Sequence, residues 1–244
     1  MIKRLEQLIS SQDGLLISGP EDAQISGISG DSRLAKKGDI FVAVKGIAND
    51  GHNYIHSAIK KGVGVIAGEK DKDELDLPKG ITYIQTSDSG QLLGVLASRF
   101  YGNPSEKLKV IGVTGTDGKT TTVSLIYWLL KNSGKKVGMV STVSAIIGDK
   151  EIDTGLHITS PDSVSLQGFL SQMVNEGCEY AVIEVTSHGI DQKRIAGVVF
   201  DTAILTKITN EHLDYHKTFA KYRDTKLSLL KRARNVIINK DDPS

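Results

Sequence analysis

Three observations predict an α/β protein with a small N-terminal α/β domain and a second, incomplete P-loop-type domain, a mostly parallel sheet flanked by helices. Short runs rich in β-branched residues alternate with stretches of helical apolar spacing through the second half of the chain. A glycine-rich turn, IGVTGTDGKTTT at residues 111–122, sits between an apolar run and an apolar-striped stretch. A polar, proline-bearing break, NPSEK at 103–107, follows a glycine-ended helical pattern and sets the expected boundary, with domains at 1–106 and 107–244. Twenty-five glycines against five phenylalanines suit many tight strand-to-helix turns better than an aromatic-rich sandwich.

In chain order, residues 38–44 (GDIFVAV) predict a strand and 54–62 (YIHSAIKKG) a helix stopped by glycine. Residues 63–68 and 81–86 predict two further strands, joined by the charged connection KDKDELDLPK. Residues 87–102 predict a helix capped by Ser87 or Asp88, with Leu92, Leu93, Leu96 and Phe100 as its apolar stripe. Beyond the break, LKVIGVT, KKVGMVST, YAVIEVT, TAILTKI and NVIINK supply five strands. TTTVSLIYWLLKNSG, DSVSLQGFLSQMVNEG and FAKYRDTKLSLLKRA supply the helices between them, with Trp128 and Met173 read as core positions on their stripes. AIIGDKEIDT at 145–154 predicts a hairpin turning at Gly148 and Asp149.

A formal net charge of +1, with no basic block, gives no footprint for nucleic acid. One cysteine, Cys178, excludes an internal disulfide framework and fits a reducing compartment. No apolar run approaches membrane-spanning length and the N-terminus is too polar for a signal peptide, so a cytoplasmic protein without membrane insertion is expected, as a monomer.

The glycine turn carries the clearest chemistry. Amides around Gly115, Thr116, Asp117 and Gly118 and the positive end of the following helix suit phosphate oxygens. Lys119 suits the terminal phosphates, the Thr120 hydroxyl suits magnesium, and Thr121 continues the motif, so ATP or GTP is the expected ligand. The match to the strict eight-residue pattern is incomplete, because Val113 stands at its first glycine. Glu184, at the end of YAVI, suits a hard cation directly or through water, against the plainer reading of a satisfied strand-end carboxylate. His188 suits either a functional turn or a backbone-orienting role. His212, between Glu211 and Asp214 and four residues before His216, suits magnesium or ordinary surface polarity; without cysteines or HExxH, structural zinc is disfavoured. On spacing alone Lys226 reads as a solvated helix lysine, and Cys178 as filler in a glycine turn.

Taken together, GDSR (30–33), GDIFVAVKG with NDGHNYIHSAIKKG, GVTGTDGKTTT, TSP (159–161), EVTSHGIDQKRIAG and EHLDYHKTFAKYRDTK resemble the Mur ligase family over nearly the whole chain. The likeness is strongest to the branch that adds the third residue of the peptidoglycan stem. It implies an ATP- and Mg2+-dependent ligase acting on UDP-N-acetylmuramoyl-L-alanyl-D-glutamate and an amino acid through an acyl phosphate. It places Ser32, Arg33, Ala48 and Asn49 near the UDP moiety, and Thr159, Ser160, Thr186, Gln192 and Arg194 near the muramoyl-dipeptide. It places Gly115 to Thr121 around ATP, Glu184 and His212 at magnesium, and a carbamylated lysine at Lys226, which reverses the solvated reading. Family members usually have Asn at Lys207, Asp at Glu211 and Ser at Thr186; Glu211 moves its carboxylate by a methylene and Lys207 adds a positive charge. They also continue through the rest of the central domain into a C-terminal amino-acid-binding domain. That domain is expected to be absent here and the chain inactive in ligation by itself. The competing expectations are a non-catalytic UDP-sugar-peptide or nucleotide-binding module, and a general P-loop ATPase with a protein-binding first domain.

Overall fold

The computed structural model describes residues 1–10, 13–46, 49–142, 144–148, 150–153 and 161–242. Its contacts divide the chain into two compact units, Met1–Gly102 and Asn103–Ser244, so the NPSEK turn falls with the second unit.

In chain order the first unit holds β1 (Lys3–Arg4), β2 (Leu16–Ser18), β3 (Gln24–Ile25), β4 (Gly27–Ser29) and β5 (Asp39–Val42), then α1 (Ile55–Lys60), β6 (Val65–Gly68), β7 (Thr82–Gln85) and α2 (Ser89–Phe100). Strands β4, β5, β6 and β7 run parallel in a sheet of order β2-β7-β6-β5-β4, with β2 antiparallel on the edge; β1 and β3 form a separate antiparallel pair. The sequence-predicted strands and helices of this unit are present, and Asp88 is the α2 cap, its carboxylate accepting from the Gln91 amide at 2.8 Å. Ala35, Phe41, Ala43, Ile55, Ala58, Val63, Ile66 and Tyr83 bury one face of this sheet under α1. Strands β1 to β4 escaped the sequence reading because two or three residues are too few to display alternation.

The second unit continues with β8 (Lys109–Thr114), α3 (Lys119–Asn132), β9 (Val137–Val140), β10 (Ser144–Ile147), β11 (Lys150–Asp153), α4 (Ser163–Asn175) and β12 (Tyr180–Glu184). It ends with α5 (Ser187–Asp191), β13 (Phe200–Leu205), α6 (Leu213–His216), α7 (Phe219–Leu230) and β14 (Ala233–Ile238). One seven-stranded sheet has the order β11-β10-β9-β12-β8-β13-β14. Its five strands from β9 to β14 are parallel, and the β10–β11 hairpin extends it antiparallel, with Ile147 opposite Lys150. The hairpin's Gly148 takes φ +61°, while Asp149 lies outside the described residues. Leu166, Leu170 and Met173 of α4 pack with Val110, Ala181, Ile183 and Phe200 on one face; Val123 and Tyr127 of α3 pack with Val113, Val137, Met139 and Val182 on the other.

One core assignment is corrected. Trp128 is 52% exposed and shares an outward face of α3 with Leu125 and Leu129, because Val123 and Tyr127 occupy the stripe that meets the sheet. Met173 and Cys178 are buried as expected. Among the described residues no helix is long and apolar enough to cross a membrane.

Candidate functional site

Parallel register assembles the rim of the second sheet. In β12, Glu184 lies beside Val113 of β8, and the Val185 amide donates to the Val113 carbonyl at 2.8 Å. In β13, Leu205 lies beside Thr114. The glycine loop leaves β8 between these two strand ends, at the carboxyl edge where open α/β sheets take ligands. Gly115 (φ +152°) and Gly118 (φ +78°) turn it into α3, which starts at Lys119 and leaves its first-turn amides at the rim. A Cβ at Gly115 would stand 1.9 Å from Thr206 Oγ1, so no side chain fits there.

Lys119 Nζ donates to the Thr116 carbonyl at 2.7 Å. Thr120 Oγ1 donates to Glu184 Oε2 at 2.9 Å, and the Thr142 amide donates to the same oxygen at 3.2 Å. Glu184 is buried, so these two donors satisfy a carboxylate that would otherwise be costly there. Asp117 and Thr121 are exposed.

Lys226 on α7 is only 2% exposed, which overturns the solvated reading of its spacing. Its Nζ donates to the Gly115 carbonyl at 2.6 Å and lies 4.6 Å from the Tyr222 ring centre. Burial, helped by the nearby Lys119 charge, pulls its pKa down to about 7, against the opposing pull of Glu211, Asp117 and Glu184. Burial likewise pushes the Tyr222 hydroxyl up to about 12.

His212 takes a left-handed φ of +53° just before α6. Its ring packs 4.7 Å from His188 and 6.3 Å from Tyr222, with Nε2 3.6 Å from Glu211. His216, fully buried, is held by ring contacts to His188, Tyr215 and Tyr222, and burial lowers the pKa of both His188 and His216. Among the described residues no group of three or more His, Cys, Asp or Glu is arranged to hold a metal. Thr120 and Glu184 nevertheless form an all-oxygen pair beside the glycine loop. That donor set fits magnesium, which ordinarily takes one or two protein oxygens and completes its shell with phosphate and water.

Thr186 precedes α5 at its N-terminal end, while Gln192 and Arg194 lie together at its C-terminal turn. Thr186 caps the helix by accepting from the Gly189 amide at 3.0 Å, and Arg194 Nη2 donates to Gln192 Oε1 at 2.7 Å. Burial lowers the Arg194 pKa, because a partly desolvated guanidinium holds its charge less favourably. In the first unit Ser32 is buried, its carbonyl accepting from Lys61 Nζ at 2.8 Å. Arg33 has a side chain 86% exposed and pairs with Asp31 at 2.7 Å. Asn49 is exposed, its carbonyl accepting from the Gly46 amide at 2.9 Å. Ala48, Thr159 and Ser160 lie outside the described residues.

Sequence reasoning missed Thr142, Thr206 and Tyr222, all of which touch the loop or its carboxylate partner. Thr206 carried a usable signal, since it directly follows a strand ending beside the glycine turn. Tyr222 looked like any aromatic on an amphipathic helix.

Comparisons with known proteins identify the family. The model of the Mur ligase middle domain matches residues 113–244, and that of the Mur ligase family catalytic domain matches residues 24–101. The chain is 45% identical over 219 residues to the UDP-N-acetylmuramoyl-L-alanyl-D-glutamate--2,6-diaminopimelate ligase of Clostridium botulinum, covering 90% of this chain and 45% of the relative. It is 43% identical over 243 residues to the ligase of the same name from Parabacteroides distasonis, covering 98% and 49%. A solved structure of a protein with that name superposes with a TM-score of 0.78 at 24% identity, over 100% of this chain and 48% of the other, and supports the fold. The chain spans about half the length of the curated relatives it matches. The two family matches, which together cover most of the chain, make it a member of the Mur ligase family.

Proposed function

We propose that this chain provides the nucleotide-phosphate and UDP-precursor sites of an ATP-dependent ligase. The ligase adds an amino acid to UDP-N-acetylmuramoyl-L-alanyl-D-glutamate in peptidoglycan synthesis. The amino acid is proposed to be 2,6-diaminopimelate, which the names of relatives 43% and 45% identical to this chain carry. In this reading the precursor's carboxylate attacks the γ-phosphorus of ATP, giving an acyl phosphate and ADP. The incoming amine then attacks the activated carbonyl and releases phosphate.

The observation that carries the reading is the Thr120–Glu184 hydrogen bond beside the Lys119 helix terminus. It groups a cation, a hydroxyl and a carboxylate at the mouth of a glycine loop. Lys119 and the first-turn amides of α3 would hold the transferred phosphoryl oxygens, and electrostatic positioning does most of the work in such transfers. Thr120 and Glu184 would hold the magnesium that bridges the phosphates and offsets their charge. Arg194, oriented by Gln192, would pair with a precursor carboxylate, and Ser32, Arg33 and Asn49 would face the UDP end. The Lys226 amine, with a pKa near 7, is substantially uncharged at neutral pH, the form a lysine needs to take up carbon dioxide as a carbamate.

Calorimetric titration of the chain with ATP and magnesium, and separately with the UDP-dipeptide precursor, tests the reading. Lys119→Ala is expected to weaken ATP binding about thirtyfold, the worth of a charge-assisted contact to phosphate, and to leave precursor binding unchanged. An unaltered ATP isotherm in that variant would refute the role of Lys119. Precursor binding with no ATP binding by the unaltered chain would point to the non-catalytic binding module.

A further inference from the structure

The phosphate loop is gripped on its outer side by side chains from two other elements of its unit. Thr206, one residue beyond β13, donates from Oγ1 to the Asp117 carbonyl at 2.7 Å. Tyr222, fully buried on α7, has its hydroxyl 2.9 Å from Thr116 Oγ1. The same Thr116 oxygen accepts from the Thr209 amide at 2.8 Å, and the Thr116 amide donates to the Lys207 carbonyl at 2.6 Å.

We propose that Thr206 and Tyr222 are positioning residues that hold the 115–118 loop in its phosphate-accepting shape before nucleotide arrives. The inference rests on the phosphate-loop reading above. Its physical basis is the planar trans peptide, in which a carbonyl and the following amide point in opposite directions. Fixing the Asp117 carbonyl toward Thr206 therefore aims the Gly118 amide toward the other side of the loop. Lys119 Nζ on the Thr116 carbonyl does the same for the Asp117 amide. Tyr222 and the Thr209 amide then tie the side chain of Thr116, the residue that begins the first of these peptides along the chain, so the loop resists rotating them away from an anion. A glycine turn without such ties loses backbone freedom when it closes on phosphate; one already tied has less to lose, and its affinity rises accordingly. The bareness of Gly115 belongs to the same device, since any side chain there would displace the Thr206 hydroxyl.

The test compares the unaltered chain with Thr206→Val, Thr206→Ser and Tyr222→Phe. Two quantities are read: amide hydrogen exchange across residues 115–120 without nucleotide, and ATP affinity with magnesium by calorimetry. Thr206→Val and Tyr222→Phe are expected to speed exchange in that segment while leaving β12 amides unchanged. Each should weaken ATP about fivefold to tenfold, the worth of one hydrogen bond. Thr206→Ser keeps the hydroxyl and is expected to restore both readouts. Unchanged exchange and unchanged ATP affinity in Thr206→Val overturn the proposal, as does failure of the serine variant to recover. If the unaltered chain binds no ATP, the phosphate-loop reading falls, and the exchange measurement still decides whether the two hydroxyls order the loop. Should Tyr222→Phe fail to fold, the Thr206 pair alone decides.

Discussion

In the second unit Glu184, Lys226, Thr116 and Tyr222 are buried and tied to strand ends whose register fixes their neighbours, whereas in the first unit Arg33 and Asn49 stand in solvent. The first unit does contain a comparably built feature, centred on His52. Buried His52 donates from Nδ1 to Asp50 at 2.6 Å, and its Nε2 accepts from the Glu69 amide at 2.9 Å. The Asp50 carboxylate also accepts from the His52 amide, and the Asp50 backbone pairs with that of Lys45 in an isolated antiparallel β-bridge. The proposed phosphate site is thus built on a packed sheet edge, whereas the proposed UDP contacts Arg33 and Asn49 are solvent-exposed side chains. Side chains at the edge should therefore be intolerant of change, while the exposed ones should tolerate change in stability and report only in binding.

The largest expected effect comes from Gly115→Ala. Overpacking against Thr206 and a backbone conformation unfavourable to alanine together cost about 3 kcal/mol, read as a drop in the urea midpoint. Adding Thr206→Ala should recover part of the loss, and no recovery would assign it to backbone strain and to the Lys207 backbone 3.0 Å from the same Cβ. Next is His52→Ala, expected to destabilise the first unit by about 2–3 kcal/mol through a cavity and an unpaired Glu69 amide. Proteolysis inside residues 45–54 should accelerate; a neutral result would remove the histidine from that segment's support and leave the first unit without its counterpart to the packed edge.

Lys226 supplies a subtler probe. Its folded pKa, about 7, lies below the value an unfolded lysine has, so between those values the unfolded chain binds the extra proton. Stability must then rise with pH from about 7 upward, relative to Lys226→Met, which lacks the titration. Parallel stability–pH curves for the two proteins would show that the amine is not held as described. The smallest effect belongs to Arg33→Ala. Its exposed pair with Asp31 should leave the melting temperature unchanged, while affinity for the UDP precursor falls; a clear loss of stability would contradict the solvent-borne character of that side.

What could be read from the sequence follows the same division. The glycine loop, Lys119 and the strand carrying Glu184 were legible because their signals are local: a turn composition, a strand end and a helix start. The burial of Lys226 was not, since helical spacing cannot distinguish a lysine facing solvent from one facing a loop 111 residues away. Thr206 and Tyr222 were hidden for the same reason, their partners being defined by strand register and by the packing of α7. Trp128 was misread because α3 has more apolar residues than its sheet-facing stripe can bury. The first unit's four earliest strands were invisible because two or three residues cannot repeat an alternation often enough to be recognised.

Trp128 has a practical consequence. It is the chain's single indole, half in water, nine residues along the helix that begins at the phosphate loop, with Lys131 Nζ 5.4 Å from its ring. Fluorescence excited selectively at tryptophan, beyond the absorption of the seven tyrosines, is therefore a one-site signal from the second unit, quenchable by acrylamide in the native state, and it follows that unit's unfolding without an attached label.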